Sequence, residues 1–261
     1  MRILVFGHSD SSGGPLADPS EAWPFVLERL LRDGSQGAFE VRHEVVVPLR
    51  ADAAQVVEDA VEAFSPDIVM LHLNPYSFAI QVVGLRVRQR FGKRAGNWFR
   101  VCQVRFDRAT SRGWVRVHLN HAARRCARRV IGVAAVATYP AVVEAYTTIL
   151  RQLARSESLQ VVVMGGSRLG TALQSVTPGM VDAIAKFADE MQGVAQEHRF
   201  IWFDTEASVA GIGREALFMA DGLHRSPQGH RRLAAMLVPV IQAIASPARE
   251  AGALARWPVR P

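Results

Sequence analysis

The sequence is poor in cysteine and lacks long apolar runs, and both absences narrow the classes of protein that it can encode. The only two cysteines are Cys102 and Cys126. Neither belongs to a CxxC pair and there is no HExxH, so we predict no disulfide framework and no metal site. No apolar run approaches the roughly 18 residues that a membrane-spanning helix needs. The N-terminus also lacks the apolar region and cleavage site of a signal peptide, so we expect a cytoplasmic location and no membrane span.

Acidic residues are almost missing from one stretch of the chain. Residues 85–129 hold fourteen of the 31 lysines and arginines but only one of the 24 acids, Asp107. Such a block predicts either a surface for an acidic partner or a solvated, arginine-rich face. Several aromatic residues in it could stack on bases, but no nucleic-acid-binding motif frames them, so nucleic acid is the less favoured partner.

The chain does contain five short apolar runs, and each is followed by a stretch with helical spacing of apolar residues. This alternation predicts an α/β domain with a parallel sheet of about five strands, buried on both faces. The predicted strands are 2–6, 39–47, 68–73, 159–165 and 200–204, and the predicted helices are 20–32, 52–64, 78–91, 138–155, 179–197 and 227–245.

We expect one domain over residues 1–246, interrupted by a basic excursion at about 92–130 that is partly strand in "WFRVCQVRF" and "WVRVHL". Residues 247–261, with three prolines, form a predicted C-terminal tail of poor order. No P-loop or GxGxxG motif is present, so we expect no nucleotide cofactor.

Two polar motifs lie at opposite ends of the pattern. "GHSDSSGG" follows the first strand, and "DGLHRSPQGH" precedes the last helix. Asp221 and His224 are three residues apart, so a short turn can hold the carboxylate against the imidazole and leave one ring nitrogen to accept a proton. A hydroxyl nucleophile completes such a triad, and Ser9 is our candidate, with Ser11 and Ser12 as competitors. The non-catalytic alternatives are that Ser9 is an ordinary turn serine, Asp221 a helix cap and His224 a surface histidine.

These motifs resemble those of the SGNH (GDSL-type) hydrolase family, in which Gly-Asp-Ser follows the first strand and Asp-x-x-His precedes the last helix. The resemblance covers residues 1–92 and 138–246. It implies a flavodoxin-like fold with three α/β/α layers, and a catalytic triad of Ser9, His224 and Asp221.

The chain departs from the family at the residues beside the triad. His8 stands where the family has Asp, and we interpret it as a structural residue or a wall of the substrate pocket. The second block lacks its glycine, so the N–H of Arg50 or Ala51 would have to serve the oxyanion hole together with that of Ser9. In the third block, Asn74 falls on the family's glycine and Tyr76 on its asparagine. We take Asn74 as an oxyanion donor or a strand terminator, and Tyr76 as a substrate-binding residue.

The favoured function is a serine hydrolase that cleaves an ester or thioester acyl bond without a cofactor. The substrate would be a small molecule or an acyl group on an anionic carrier, and Arg168 in "GGSRLG" could bind an anionic group. An acyltransferase with the same triad is one alternative. An inactive binding module, which uses the basic face for an acidic partner or nucleic acid, is the other.

Overall fold

The structure is a computed structural model that describes residues 1–34, 38–80, 82–110, 123, 126–165 and 179–246. These residues form two compact units. The first comprises Met1–Asn74 and the described residues from Val143 onward, and the second comprises Pro75–Val142.

A five-stranded sheet forms the centre of the first unit. Its strands follow the order β2-β1-β3-β4-β5, and every neighbouring pair is parallel. The predicted α/β fold with a parallel five-stranded sheet is therefore confirmed. The strands are β1 (Arg2–Gly7), β2 (Glu40–Val45), β3 (Ile68–His72), β4 (Gln160–Gly165) and β5 (Ile201–Asp204).

Helices connect these strands. In chain order they are α1 (Trp23–Gly34), α2 (Ala53–Phe64), α3 (Tyr76–Ala79), α4 (Val83–Thr110), α5 (Tyr139–Leu153), α6 (Met180–Glu197), α7 (Arg214–Leu217) and α8 (Pro227–Ala245). Two 3₁₀ segments lie at Pro19–Glu21 and Thr205–Val209. Apart from the short α7, which was not predicted, the helices of the first unit begin and end within three residues of the predicted bounds, because each has apolar residues repeating along one face.

The order of the strands determines where a site can form. The chain passes from β1 to β2 on one side and later places β3 on the other side of β1. The strands stay parallel, but the direction in which successive strands are added to the sheet reverses between β1 and β3. Right-handed crossovers then put α1 on one face of the sheet and α2 on the other. Such a reversal opens a crevice at the carboxyl ends of the strands, where ligands of parallel α/β sheets bind.

One large apolar core lies between the sheet and the helices α1 and α8. It contains buried side chains from all five strands and from both helices. Trp23 and Leu27 of α1 and Leu237 of α8 are completely buried in it. The carboxyl end of β1 and the amino end of α8 are thus anchored to the same core, and these are the two places where the polar motifs lie.

The second unit differs from the prediction for the basic excursion. The segment 98–106, expected to be partly strand, lies in α4, which is interrupted only at Gly92, where φ is 86° and ψ is 173°. The strand prediction fails here because a strand needs a neighbour to pair with. Among the described residues of this unit, only the isolated bridge between Val82 and Ala134 pairs extended backbone.

Within the described part of the chain, no helix is both long enough and apolar enough to span a membrane. Several sequence-based predictions lie outside the described residues. They are the strand at 114–119, most of the "GGSRLG" loop with Arg168, and the tail at 247–261.

Candidate active site

The polar turn after β1 presents a single exposed hydroxyl. The N–H groups of Ser11 and Ser12 both donate to the carbonyl of His8 at 3.0 Å, which closes a tight turn around Ser9. A Cβ on Gly7 would collide with the side chain of Ser11, so only glycine allows the turn to fold back so closely. Ser9 is exposed at its crest, whereas Ser11 is completely buried.

The two competing serines are committed to other partners. The hydroxyl of Ser11 accepts the N–H of His8 at 2.8 Å and donates to the His8 carbonyl at 2.8 Å. It also lies 3.1 Å from Nε2 of His43, on β2. The Ser12 hydroxyl donates to the carbonyl of Ser9 at 3.1 Å. Ser11 and Ser12 therefore brace the turn from which Ser9 projects.

The loop that carries His224 is braced along its length. Its two arms form an antiparallel bridge between Phe218 and Arg225. Gly222 lies between Asp221 and His224 with φ of 66°, a left-handed conformation that suits glycine. The loop ends at Ser226, which caps α8 by accepting the N–H of Gly229 at 3.2 Å.

Ser9, His224 and Asp221 form a hydrogen-bonded chain. Ser9 Oγ lies 3.1 Å from His224 Nε2, and His224 Nδ1 lies 2.7 Å from Asp221 Oδ2. The other carboxylate oxygen, Oδ1, accepts the N–H groups of Leu223 and His224 at 2.8 and 3.0 Å. This arrangement keeps the ring proton on Nδ1 and directs Nε2 as a base toward the hydroxyl of Ser9.

The environment of Asp221 keeps its carboxyl ionised. Partial burial raises the pKa of this group, but the hydrogen bonds from the His224 ring and from the N–H groups of His224 and Leu223 outweigh that effect. The pKa of Asp221 therefore lies below its ordinary value. A carboxylate at this place can stabilise an imidazolium at His224 once that ring accepts a proton.

Three histidines near the triad, His8, His72 and His230, are buried. The rings of His8 and His72 are 4.5 Å apart, and the ring of Trp23 packs edge-on against His72. Nδ1 of His230 accepts the N–H of Trp23 at 3.3 Å. Burial lowers the pKa of His8 and of His230 to about 4 and that of His72 well below its ordinary value, so all three are neutral at neutral pH. With only 7% of its surface exposed, His8 offers little area to a substrate, and its predicted substrate-binding role stays a prediction.

The predicted oxyanion donors lie at the same edge of the sheet. Asn74 comes just after β3, which pairs with β1, but its main-chain N–H donates to the hydroxyl of Tyr146 at 2.7 Å. The donor at this position would therefore be the side-chain amide. After β2, the N–H of Arg50 donates to the carbonyl of Val47 at 3.0 Å, which leaves Ala51 as the better candidate in that loop. The oxyanion roles stay predictions.

For the other two predicted substrate-binding residues, Tyr76 and Arg168, a role at this site stays a prediction. Tyr76 begins α3 in the second unit, and Arg168 is outside the described residues. Within the described ranges, no group of three or more His, Cys, Asp or Glu side chains is arranged to hold a metal ion.

Sequence reasoning missed a buried ion pair next to the triad. Asp10 follows Ser9, and Arg225 follows His224. Asp10 Oδ1 accepts the N–H of Arg225 at 2.9 Å, and Oδ2 lies 3.5 Å from its Nε. The two opposite charges directly after Ser9 and His224 were the available signal, but nothing in the sequence shows that they are buried.

Comparison with known proteins identifies the fold. No protein-family model matches the sequence, and no curated protein matches it. Among solved structures, TesA has a TM-score of 0.56 at 16% identity and covers 94% of this chain and 99% of its own. Est24, a carbohydrate acetylesterase from Sinorhizobium meliloti, has a TM-score of 0.56 at 12% identity, with 93% and 99% covered. The aryl esterase of M. smegmatis has a TM-score of 0.54 at 16% identity, with the same coverage. The chain therefore has the fold of SGNH-type esterases, as its opening and terminal motifs predicted.

Proposed function

We propose that the protein is a serine hydrolase that cleaves an ester or thioester acyl bond with Ser9, His224 and Asp221. The observation that carries this proposal is the 3.1 Å approach of Ser9 Oγ to His224 Nε2, with Asp221 on the opposite ring nitrogen. A nucleophile hydrogen-bonded to a base, which is itself oriented by a carboxylate, is the arrangement that activates a serine hydroxyl.

Acylation begins when Ser9 Oγ attacks the acyl carbonyl carbon and His224 Nε2 takes the hydroxyl proton. The tetrahedral oxyanion then collapses, and the imidazolium gives its proton to the departing alcohol or thiol. Water attacks the acyl-Ser9 ester next, again losing a proton to Nε2, and that proton returns to Ser9 as the carboxylic acid leaves. Asp221 orients and stabilises the imidazolium throughout.

The tetrahedral oxyanion needs hydrogen-bond donors near Ser9. Our candidates are the Ser9 main-chain N–H, the Asn74 side-chain amide and the Ala51 N–H, which belong to the ends of β1, β3 and β2. Removing one such donor from a hydrolase typically lowers kcat by about 10²–10³.

For the substrate, we propose only the type of bond that is cleaved, an ester or thioester. The solved neighbours include a carbohydrate acetylesterase and an aryl esterase, so small-molecule esters are the first class to test. A carrier-bound thioester and an acyl acceptor other than water use the same acylation step. The predicted acidic partner, the binding roles of Tyr76 and Arg168, and the cytoplasmic location all stay predictions.

A fluorophosphonate probe tests the proposal directly, because it forms a covalent bond only with an activated serine. We expect the wild-type protein to be labelled, and the Ser9→Ala and His224→Ala variants to lose labelling. Ser156→Ala is the matched control, since it removes an exposed hydroxyl outside this turn and leaves the Ser9–His224 pair.

Two outcomes would contradict this function. Labelling that persists in Ser9→Ala assigns the reactive group to another residue. A folded wild-type protein that is not labelled and does not hydrolyse p-nitrophenyl acetate lacks an activated serine, and the binding-module interpretation then takes its place.

A further inference from the structure

Each of the two reacting side chains is followed in the chain by a buried charged residue, and these two residues carry opposite charges. Asp10, after Ser9, is 5% exposed, and Arg225, after His224, is 1% exposed. They join the turn after β1 to the loop before α8, across 215 positions of sequence. Buried charges are costly unless they are paired, so this contact is a specific feature of the fold.

The contact has two separable parts. The first is a hydrogen bond of 2.9 Å from the Arg225 main-chain N–H to Asp10 Oδ1. The second is the ion pair, in which Nε of Arg225 lies 3.5 Å from Oδ2. The guanidinium also donates to the Ser208 hydroxyl at 3.2 Å and lies over the Phe218 ring. The main-chain bond is the shorter of the two and acts on the backbone that carries His224.

From this geometry we propose that Asp10 is a positioning residue that fixes the distance between Ser9 and His224 through the Arg225 main-chain N–H. The proposal rests on the proposed function. The bond lies one residue beyond each reacting group, so any sliding of one loop past the other must break it. Ser9 is exposed at the crest of its turn, and the burial of its neighbour supplies rigidity that an exposed residue lacks.

The ion pair has a different role. Arg225 neutralises the buried carboxylate and adds contacts to Ser208 and Phe218, which stabilise the loop. A neutral pair of similar size can replace a buried ion pair without loss of fold. The proposal therefore predicts that the acceptor atom at position 10 controls reactivity, whereas the two charges control stability.

Two double variants separate these roles. Asp10→Asn/Arg225→Met and Asp10→Ala/Arg225→Met both remove the ion pair, but only the first keeps an oxygen that can accept the residue 225 N–H. We expect the first to react with the fluorophosphonate probe within about threefold of the wild-type rate, and the second at least about tenfold more slowly, since small misplacements of reacting groups are costly. With p-nitrophenyl acetate, the difference should lie in kcat and not in KM.

The controls separate positioning from stability and from the proposed function. Rates are measured well below each melting temperature, and the core variant Ile68→Ala, which loses stability at the amino end of β3 and away from the loops, should label like the wild type. Equal rates in the two double variants, whether both fast or both slow, would overturn the proposal while Ser9-dependent labelling of the wild type upholds the function. If either double variant fails to fold, Asp10→Asn alone decides, because a tenfold loss in that folded protein also overturns it.

Discussion

At the scale of single residues, Asp221 determines which nitrogen of His224 carries the proton. Its Oδ2 lies 2.7 Å from Nδ1, so the proton stays on that side and Nε2 remains a base. Asp221→Asn keeps the volume and the Oδ1 acceptor for the two main-chain N–H groups. The new amide, however, donates to Nδ1 and reverses the tautomer.

We therefore expect Asp221→Asn to lower kcat for p-nitrophenyl acetate by about 10³–10⁴ at neutral pH, with little change in KM. The measurement is a kcat and KM comparison with the wild type, with circular dichroism as the control for folding. A variant that retains more than a tenth of the wild-type kcat would contradict the proposed role of Asp221.

The buried histidines make stability depend on pH. Burial holds the pKa of His8 and His230 at about 4 in the folded state and lowers the pKa of His72 well below its ordinary value. In the unfolded chain these groups titrate near 6.5. Between about pH 6.5 and 4 the unfolded state binds more protons, so the free energy of unfolding falls as the pH falls.

Each such histidine contributes up to about 1.4 kcal/mol of lost stability per pH unit in that window. We expect the free energy of unfolding to drop steeply from pH 6.5 to 4 and the drop to be smaller in His230→Gln. Urea titrations at pH 7, 6, 5 and 4 measure both slopes. If the free energy of unfolding changes with pH equally in the wild type and in His230→Gln, His230 binds its proton equally well in the folded and unfolded states, which contradicts the prediction.

At the scale of elements, the start of α8 holds the histidine loop. Ser226 Oγ accepts the Gly229 N–H at 3.2 Å and donates to the Ala216 carbonyl at 2.7 Å. Pro227 follows it at the first helical position, where its missing N–H costs nothing. The cap thus anchors both the helix and the end of the loop that presents His224.

We expect Ser226→Ala to lower the free energy of unfolding by about 1–2 kcal/mol, because it removes an N-cap. Ser226→Thr, which keeps the hydroxyl, is the matched control and should lose less. Chemical denaturation at neutral pH measures both. A Ser226→Ala protein as stable as the wild type would mean that the cap contributes nothing to α8.

The elements of the first unit follow closely from the sequence. The last helix was predicted at 227–245 and lies at Pro227–Ala245, since Ser-Pro starts it and apolar residues repeat along one face. The three central strands, β1, β3 and β4, were found because their apolar runs are buried on both faces, whereas the edge strands β2 and β5 are only partly buried. The prediction was wrong in the second unit at 98–106, where part of the basic segment was interpreted as strand but the structure has α4.

The site was predictable only where its chemistry is local. Asp221 and His224 are three residues apart, so their contact follows from a turn, and Ser9 was linked to them through the resemblance. Contacts that depend on tertiary burial were not accessible. The Asp10–Arg225 pair and the bond from Asn74 to Tyr146 join distant segments, and no spacing in the sequence encodes them.

At the scale of the whole molecule, positive charge is concentrated in the second unit. The described part of α4 exposes many cations, among them Arg90, Lys93 and Arg94, and the segment 85–129 contains a single acid. Like charges so close together repel one another, and an anionic surface relieves that repulsion. The predicted acidic partner should therefore bind here in a salt-dependent way.

We expect the protein to be retained on a heparin column at low salt and released as salt increases. The variant Arg90→Gln/Lys93→Gln/Arg94→Gln should reduce the slope of log affinity against log salt concentration by up to about three units. Each cation that is removed leaves about one counterion fewer to be released on binding. A matched triple substitution of exposed arginines in the first unit, Arg29, Arg151 and Arg155 to Gln, removes the same charge but should change the slope less. Equal effects of the two triples would mean that net charge alone drives retention, and the solvated-face interpretation of the basic segment would then be the correct one.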